Sequence, residues 1–300
     1  MKRNKVNKNN TGHDFNYEEV FMGVFQGRKK GFHRDIFKKK PELRRVVEMV
    51  KVKKGRMLDV GSGGGFLTEC FPFYFPQTKV YGCDISLTAI KYAKKYGTKK
   101  VSYKVMTKQL PYPSNYFDAI TCLDVLEHIP DVEFFIREVK RVLKKGGVFF
   151  GAIPCEGQPY TFSWMFSKLG FWQNLTFKHV GHIHPEFTHK NVIKLFTKRK
   201  FEVVDKRFSE RLPVQFLRYT QFMLPKELLE LIVGSKKAEN YYDRSVVIKN
   251  PSEKKDVIMY LRILWFKLCE ATKIIDDIDA EKLPNASFGA WKINLLVKKL

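Results

Sequence analysis

An acid followed by a run of glycines is the first feature of this chain with chemical meaning. Residues 57–67 are MLDVGSGGGFL, in which an apolar run ends at Asp59 and four of the next six residues are glycine. Glycine loses more backbone freedom on folding than any other residue, so a run of glycines indicates that something must approach this backbone closely. A glycine turn between a strand and a helix lets an anionic or polar ligand contact backbone N–H groups. A phosphate-binding P-loop is excluded because Gly65-Phe66-Leu67 replaces its lysine, and a dinucleotide fingerprint would need glycine at Phe66.

A second acid and two sets of histidines complete the residues that could do chemistry. Asp84 ends the segment VYGCD, and a carboxylate at such a position can accept hydrogen bonds from two hydroxyl groups at once. Histidine is the natural general base near neutral pH. Loop histidines also commonly satisfy backbone groups, so a purely structural role stays open for each of them. The histidines are His128 in LEHIP and His179, His182 and His184 in HVGHIHPEFT.

Alternating strands and helices must position these residues. Short apolar segments separated by amphipathic ones predict a parallel sheet covered on both faces, with the ligand crevice at the carboxyl ends of its strands. The predicted strands are GRMLDV, KVYGCDI, VSYKVM, FDAITCLDV, VFFGAIP, FEVVDKRF and AWKINLLVKKL. The predicted helices are PELRRVVEMVKVKKG, a helix begun by GGFLTECFPFYF that Pro72 and Pro76 curtail, SLTAIKYAKKYG, PDVEFFIREVKRVLKKGG and HKNVIKLFTKRK.

In these blocks the chain resembles the class I S-adenosylmethionine-dependent methyltransferases. The run from Asp59 to Gly65 matches that family's acid-x-GxGxG signature in full, and Asp84 stands at its second acid. The segments LPYPSNYFDAITCLDVLEHIPD and LKKGGVFF resemble the regions around the family's fourth and fifth strands. The resemblance implies an α/β fold: a Rossmann-like, seven-stranded, mostly parallel sheet whose last strand is antiparallel, with helices on both faces and a helical cap insertion.

The same resemblance implies S-adenosylmethionine as the cofactor and assigns its contacts. Many relatives place an acid after the third strand to accept the adenine amino group, but this chain has Met106-Thr107-Lys108 there, so Thr107 or the backbone must take that role. The residues expected to contact the cofactor are Asp59, Gly61, Ser62, Gly63, Gly65, Asp84, Ile85, Thr107 and Leu123.

Methyl transfer is a displacement at carbon, and it needs a general base only when the acceptor still holds a proton. For a hydroxyl acceptor we expect His182 as the base and His128 as the second candidate; if neither matters, alignment alone is the mechanism. Asp124, Glu127 and His128 also resemble the acid, acid, histidine set of quinone-pathway O-methyltransferases, to which a divalent metal can bind. Because Asp124 and His128 can equally cap the turn, we predict a site without a metal.

The domain organisation follows from composition and from the break in alternation after Pro154. The predicted parts are a disordered basic tail 1–12, N-terminal helices 13–54, a cofactor-binding core 55–207 with an aromatic insertion at about 155–185, a helical cap insertion 208–286, and the final core strand 287–300.

Two stretches outside the core motifs each have two interpretations. The aromatic residues of the insertion form either a lid over an apolar acceptor or the packing core of the cap. The segment 212–233 is either an amphipathic helical pair on a membrane or a pair packed on the main domain. The aromatic residues are Tyr160, Phe162, Trp164, Phe166, Phe171 and Trp172.

Charge and cysteine content limit the partners and the compartment. The 300 residues carry a formal net charge of +24. This charge favours an anionic partner such as a membrane, but because the lysines are scattered it can equally belong to a solvated surface without a specific partner. The five cysteines show no CxxC spacing, and the N-terminus lacks the apolar segment of a signal peptide. We therefore expect a cytoplasmic protein with room for peripheral contact with an anionic membrane; its oligomeric state stays open.

The expected function is O-methylation of a small-molecule, lipid-linked or glycan-linked acceptor. Nucleic acid is disfavoured, because Leu123-Asp124-Val125 replaces the NPPY-like block of base amino-methyltransferases and no proline-cysteine nucleophile lies at the right place. The enzymatic alternative is an RNA or protein methyltransferase. The alternative without catalysis is a degenerate methyltransferase fold that binds a cofactor or a partner only.

Overall fold

The computed structural model describes residues 40–170, 181–219, 275 and 282–300. Within these residues the strands are β1 Gly55–Val60, β2 Thr78–Asp84, β3 Val101–Val105, β4 Phe117–Leu123, β5 Leu143–Pro154, β6 Phe201–Ser209 and β7 Lys292–Lys299. The helices are α1 Pro41–Met49, α2 Phe71–Tyr74, α3 Leu87–Tyr96, α4 Val132–Val142, α5 Phe162–Lys168, α6 His189–Thr197 and α7 Leu212–Arg218. Short 3₁₀ turns lie at Thr68–Cys70 and Leu126–His128.

The seven strands form one sheet in the order β3-β2-β1-β4-β5-β7-β6. Strands β1 to β5 pair in parallel, whereas β7 runs antiparallel between β5 and β6. The predicted Rossmann-like fold with an antiparallel last strand is confirmed. The strand order reverses at β1 and β4, and the crevice between their carboxyl ends is where such sheets bind ligands.

Local sequence signals explain where the central helices begin. The Ser86 hydroxyl accepts the N–H of Ala89 at 3.0 Å and caps α3, and the Asp131 carboxylate accepts the N–H of Phe134 at 2.8 Å and caps α4. Side-chain oxygens at these positions satisfy N–H groups that have no partner inside the helix. Each helix therefore starts just after a loop at the ligand-binding edge of the sheet.

Apolar side chains fill both faces of the sheet, as the predicted arrangement requires. On one face α1 and α3 contribute Val46 and Ile90 to a buried cluster; on the other, α4 and α6 contribute Ile136 and Phe196. Neighbouring β1 residues point to opposite faces, in keeping with the alternation of side chains along a strand. The central strands β1, β4 and β7 are thus buried on both sides, whereas the outer strands β3 and β6 keep exposed residues.

Two element boundaries differ from the predictions. The helix expected directly after the glycines starts only at the Thr68–Cys70 turn, because glycines with positive φ precede it. Its short length agrees with the prediction, since α2 is a single turn that ends at Tyr74, between Pro72 and Pro76. Strand β5, expected from Val148, begins at Leu143 and shifts its register against β4 before Val148.

The predicted domain boundaries remain predictions. The tail 1–12, residues 13–39 and most of the 208–286 insertion lie outside the described residues, as do Phe171 and Trp172 of the aromatic stretch. Helix α1 falls in the predicted N-terminal helical part and α7 at the start of the predicted cap. Among the described helices, none has the length and apolar character needed to cross a membrane.

Candidate active site

The glycine loop turns sharply at the carboxyl end of β1. Gly61, Gly63 and Gly65 have φ angles of 75°, 51° and 80°, the left-handed region that glycine adopts without strain. The N–H groups of Gly61 and Ser62 donate to the carbonyl of Cys83 on β2, at 2.8 and 3.0 Å. The loop is therefore fastened to β2 and lies beside the end of that strand.

The protein's own side chains explain two of these glycines. A Cβ atom at Gly61 would lie 2.2 Å from a methyl carbon of Val125, and one at Gly65 would lie 2.3 Å from the hydroxyl oxygen of Tyr103. We expected side chains to be excluded by a ligand. At these two positions the space for a side chain is instead filled by Val125, which follows β4, and by Tyr103 in β3. The loop therefore packs closely against the edge of the sheet.

Asp84 stands at the end of β2, directly beside this loop. One oxygen of its carboxylate accepts the N–H of Gly63 at 2.8 Å, and the other accepts the N–H of Ser86 at 2.9 Å. These bonds tie the orientation of the carboxylate to the glycine loop and to the start of α3. A carboxylate held in this way suits a ligand with two adjacent hydroxyl groups, such as the ribose of S-adenosylmethionine. The residues present fit the predicted cofactor at this point.

Asp59 lies inside the protein rather than on the crevice surface. Its side chain is 4% exposed, and its two carboxylate oxygens accept the hydroxyls of Thr68 at 2.6 Å and Thr121 at 2.8 Å. Burial raises the pKa of Asp59 to about 6, although both hydroxyl bonds act in the opposite direction. The geometry indicates that Asp59 joins β1 to β4 and to the turn after the glycines; its predicted cofactor contact remains a prediction.

The remaining predicted cofactor residues follow the ends of neighbouring strands. Ile85 is 51% exposed after β2, Thr107 is exposed after β3, and Leu123 is half-buried at the end of β4. All three lie at the carboxyl edge of the sheet, as the prediction requires. Their individual contacts with a cofactor remain predictions.

A chain of charged groups lies on the other side of the crevice. Asp124, at the end of β4, has a φ of 52°, and its carboxylate oxygen is 2.7 Å from the ammonium nitrogen of Lys292 on β7. The same ammonium is 2.8 Å from a carboxylate oxygen of Glu210, just after β6. Lys292 and Glu210 are both buried. The loop after β4 is therefore anchored to two strands that lie far from it in the sequence.

The two candidate base histidines are neighbours beyond the end of β4. The Nδ1–H of His128 donates to the carbonyl of Gly181 at 2.9 Å, and Nδ1 of His182 hydrogen-bonds the carboxylate of Glu156. Their ring centroids are 5.0 Å apart. Ser163 of α5 donates to the other oxygen of Glu156, so the carboxylate that orients His182 is itself held. His182 also stacks on Trp291, with 5.8 Å between ring centroids.

Glu127 lies between these two rings. It is fully buried, and neither of its carboxylate oxygens has a hydrogen-bond partner in the described part of the chain. One oxygen is 3.8 Å from Nε2 of His128 and 3.8 Å from Nε2 of His182. Burial, with the nearby charge of Asp124, raises the pKa of Glu127 well above its usual range, and burial lowers the pKa of His128 to about 4. One ligand atom from each of the three residues lies within 4.8 Å of the others, a spacing that could hold a metal ion.

The other histidines of the predicted loop do not join this group. Nδ1 of His184 lies 2.8 Å from the carboxylate of Glu186, and its Nε2–H donates to the carbonyl of Ile129 at 2.8 Å. His184 therefore fastens its own loop to the turn after His128. His179 lies outside the described residues.

The aromatic residues of the insertion pack against the beginning of the predicted cap. The ring of Phe162 on α5 lies 6.3 Å from that of Phe216 on α7, and the ring of Phe166 lies 4.9 Å from that of Tyr219. These contacts favour the packing interpretation for the described aromatics. Tyr160, in contrast, is 60% exposed at the start of α5.

Sequence reasoning missed three residues of the acceptor side: Glu156, Glu210 and Lys292. Weak signals were present for two of them. Glu156 follows the end of β5 at the edge where α/β sheets bind ligands. Lys292 is a cation at the start of an otherwise apolar strand, and a lysine is rarely buried unless it is paired. Glu210 has no distinguishing local pattern.

This strand order, with a glycine loop after β1 and an acid after β2, is the fold of the class I S-adenosylmethionine-dependent methyltransferases. Residues 58–151 match the family described as "Methyltransferase domain". Residues 58–151 thus match a methyltransferase domain, and the predicted resemblance is confirmed. S-adenosylmethionine is the cofactor of the class, so the predicted cofactor is confirmed at that level.

A curated relative supports the same assignment over a limited length. The chain is 36% identical over 102 residues to a ubiquinone biosynthesis O-methyltransferase of Pelagibacter ubique, an alignment that covers 33% of this chain and 42% of the relative. The chain therefore spans less than half the length of that relative.

Two solved methyltransferases share the fold. Geranyl diphosphate C-methyltransferase of Streptomyces coelicolor, solved with Mg²⁺, geranyl diphosphate and S-adenosyl-L-homocysteine, is 11% identical with a TM-score of 0.52, covering 86% of this chain and 78% of that one. Phosphoethanolamine N-methyltransferase 2 of Haemonchus contortus, solved with S-adenosyl-L-methionine, is 18% identical with a TM-score of 0.50, covering 86% and 51%. At these identities the likeness establishes the fold alone, and the two enzymes are named for different acceptor atoms, nitrogen and carbon.

Proposed function

We propose that this protein binds S-adenosylmethionine and transfers its methyl group to an oxygen atom of a small acceptor. The observation that carries the proposal is the Asp84 carboxylate, held at the glycine loop by the N–H of Gly63 and facing the carboxyl edge of the sheet. When bound, the cofactor supplies a methyl group on a sulfonium, which is already a good leaving group. The chain then needs mainly to orient two ligands and to exclude water.

On the cofactor side, some residues would hydrogen-bond the cofactor and others would pack against it. The carboxylate of Asp84 would accept the ribose hydroxyls, while the backbone of the loop from Gly61 to Gly65 would lie along the methionine part. Ile85 and Leu123 offer apolar surface after β2 and β4, where a purine ring can pack. Thr107, with no acid beside it, offers a hydroxyl for the adenine amino group. This division is the one that the family resemblance implies.

The acceptor side is the group formed by Glu127, His128 and His182. An acceptor hydroxyl must lose its proton as the new bond to carbon forms, so polar groups must face that oxygen. His128 is the more accessible of the two rings, with 18% of its side chain exposed against 5% for His182. We therefore place His128 next to the acceptor and His182 behind it, which reverses our order of preference. A general-base role for either ring remains a prediction.

Oxygen is preferred as the accepting atom because relatives named ubiquinone biosynthesis O-methyltransferases match this chain, over 33% and 32% of its length. A free or lipid-linked acceptor with apolar parts also suits the surface around α5. Exposed aromatic and aliphatic side chains lie there, namely Tyr160, Leu169, Phe216 and Phe288. We propose on this basis a small-molecule or lipid-linked acceptor over a glycan, an RNA or a protein. A location in the cytoplasm, at times on an anionic membrane surface, is part of the same proposal.

Calorimetric titration with S-adenosylmethionine tests the cofactor half of this proposal. We expect saturable binding that S-adenosylhomocysteine competes for, and folded protein that shows no binding at millimolar ligand would refute the proposal. The acceptor half is tested by incubating the protein and methyl-labelled cofactor with a panel of phenols, catechols and prenylated quinone precursors, followed by mass spectrometry. Label found only on added RNA or protein would support the alternative class. Binding without transfer to any acceptor would favour the degenerate fold.

A further inference from the structure

Three potential metal ligands converge on one point at the acceptor side. Nε2 of His128 and Nε2 of His182 each lie 3.8 Å from the same carboxylate oxygen of Glu127. An ion bound at about 2.0–2.2 Å from each atom would need such atoms within roughly 4 Å of one another. The two separations from Glu127 meet that limit, and the two ring nitrogens lie within 4.8 Å of each other, so the rings would have to draw together if that separation exceeds the limit.

The tautomers of both rings are set by what their other nitrogens contact. His128 donates Nδ1–H to the carbonyl of Gly181, and His182 directs Nδ1 to the carboxylate of Glu156. With the proton on Nδ1, the lone pair of each ring is on Nε2, the atom that faces Glu127. A metal-binding histidine almost always has its second nitrogen held by a carbonyl or a carboxylate in this way. Ser163 adds a further layer by holding Glu156.

Glu127 supplies an independent observation. A fully buried carboxylate is costly unless it is hydrogen-bonded, protonated or bound to a cation. Neither of its oxygens has a hydrogen-bond partner among the described residues. The buried ammonium of Lys292 contacts Asp124 and Glu210 instead, at 2.7 and 2.8 Å. A cation between Glu127 and the two rings would satisfy all three side chains at once.

We infer that Glu127, His128 and His182 bind one divalent transition-metal ion on the acceptor side of the crevice. This set differs from the acid, acid, histidine set considered from the sequence, because the Asp124 carboxylate is paired with Lys292 and His182 comes from a separate loop. Two imidazoles and one carboxylate favour a zinc-like ion, whereas magnesium prefers oxygen ligands and water. The inference also replaces our expectation of a site without a metal.

The role of the ion builds on the proposed methyl transfer. Glu127, His128 and His182 would hold the ion, and of the three side chains that of His128 is the most exposed, at 18%. When bound, such an ion would supply Lewis-acid stabilisation of an acceptor hydroxyl that gives up its proton to water. The oxygen then forms a bond to the methyl carbon as the bond from that carbon to the sulfonium sulfur breaks. In this role the two histidines hold an ion and do not themselves take the proton.

The test is direct metal binding by the full chain after treatment with a chelator. Cobalt(II) is the probe, because its visible absorption reports nitrogen and oxygen ligands, and zinc displacement and a magnesium titration complete the series. We expect one equivalent of cobalt, displaced by zinc and not by magnesium. Loss of an orienting partner typically weakens a metal site by about 10–100-fold, so Glu127→Gln and His182→Ala should weaken binding at least that much.

Matched variants separate this ligand set from its neighbours. His184→Ala removes a histidine two residues from His182 whose nitrogens contact Glu186 and Ile129, and it should leave cobalt affinity unchanged. Asp124→Asn should weaken cobalt binding far less than Glu127→Gln. If Asp124→Asn weakens binding as much as Glu127→Gln, or if His182→Ala has no effect, the assigned ligand set is wrong.

Cofactor calorimetry on the same samples keeps the two proposals apart. Wild-type protein that binds S-adenosylmethionine but takes up no cobalt or zinc would overturn the metal site and leave the proposed function standing. Protein that binds cobalt as expected but not the cofactor would refute the proposed function alone. Thermal unfolding of each variant identifies any that fails to fold, and Glu127→Gln, which keeps the shape of the side chain, then decides the result.

Discussion

Replacing Asp84 by asparagine is the sharpest test of the cofactor side. The change keeps the size of the side chain and one acceptor oxygen, but it removes the charge. In the structure this carboxylate accepts two backbone N–H groups, from Gly63 at 2.8 Å and from Ser86 at 2.9 Å. The variant should therefore lose the charged bonds that we propose to the ribose hydroxyls, together with part of the geometry of the glycine loop.

The expected magnitude follows from the strength of charged hydrogen bonds. Such bonds contribute about 1.5–3 kcal/mol, which corresponds to roughly 10–150-fold in the dissociation constant. Calorimetry with S-adenosylmethionine measures this change, and thermal unfolding shows whether the variant remains folded. Asp84→Ala should weaken binding further, because it also releases the N–H of Gly63.

Asp118→Asn is a matched control for this experiment. Asp118 also accepts a backbone N–H, from Arg56 at 2.8 Å, and it pairs with Lys144 at 2.8 Å, but it lies at the amino end of β4, the opposite edge of the sheet. Its cofactor affinity should equal that of the wild type. An Asp84→Asn protein with unchanged affinity, or an Asp118→Asn protein weakened to the same degree, would refute the placement of the cofactor.

Three further variants test the framework of the site. Because burial raises the pKa of Asp59 from 3.8 to about 6, its contribution to stability is complete below about pH 4 and is lost as the pH rises through 6. In urea unfolding, the free energy of unfolding of Asp59→Asn relative to wild type should therefore rise by up to ~3 kcal/mol from acid to neutral pH. A difference that does not change with pH would contradict this titration. Gly61→Ala should destabilise by ~2 kcal/mol or more in the same assay, because its Cβ would lie 2.2 Å from a methyl carbon of the loop after β4. Gly146→Ala is the control, because Gly146 has a φ of 74° but no atom lies within 4 Å of the added Cβ, so it shows the cost of the backbone conformation alone. Equal losses of stability in Gly61→Ala and Gly146→Ala would exclude the clash. Lys292→Met should lower the free energy of unfolding by ~3–5 kcal/mol, because it leaves Glu210 buried without its cation. Adding Glu210→Gln should restore part of that loss; no recovery would show that the pair contributes little to stability.

The fold, and the position of the glycine loop beside Asp84, could be predicted because their signals are local. Ser86 and Asp131 cap the helices that follow them, and the glycines and Asp84 lie at the ends of consecutive strands. Parallel strands place such ends on one edge, so a linear pattern becomes a site without further information. The predicted start of the helix after the glycines was wrong for an equally local reason: three glycines with positive φ delay the first helical turn to Thr68.

The acceptor side could not be predicted in the same way, because its partners are distant in the sequence. Glu156 meets His182 across 26 residues, and Lys292 meets Asp124 and Glu210 only because β7 lies between β5 and β6. No periodicity of the chain encodes these pairs. Glu127 could be identified as a candidate ligand from its position after β4, but its lack of a hydrogen-bond partner appears only in three dimensions.

The antiparallel strand β7 is what connects the acceptor side to the rest of the chain. Its first residues bring Lys292 to Asp124 and Glu210, and the preceding Trp291 stacks on His182 while its backbone N–H donates to the carbonyl of Glu210 at 3.1 Å. The two ends of the 208–286 insertion therefore meet beside the proposed metal site. Because ion pairs and ring stacking weaken steeply when their atoms separate, a displacement of either end by about 1 Å would alter the position of Asp124 or His182. The cofactor loop, fastened to β2 through Cys83, makes none of these described contacts. Changes in the insertion should thus alter acceptor turnover before they alter cofactor affinity.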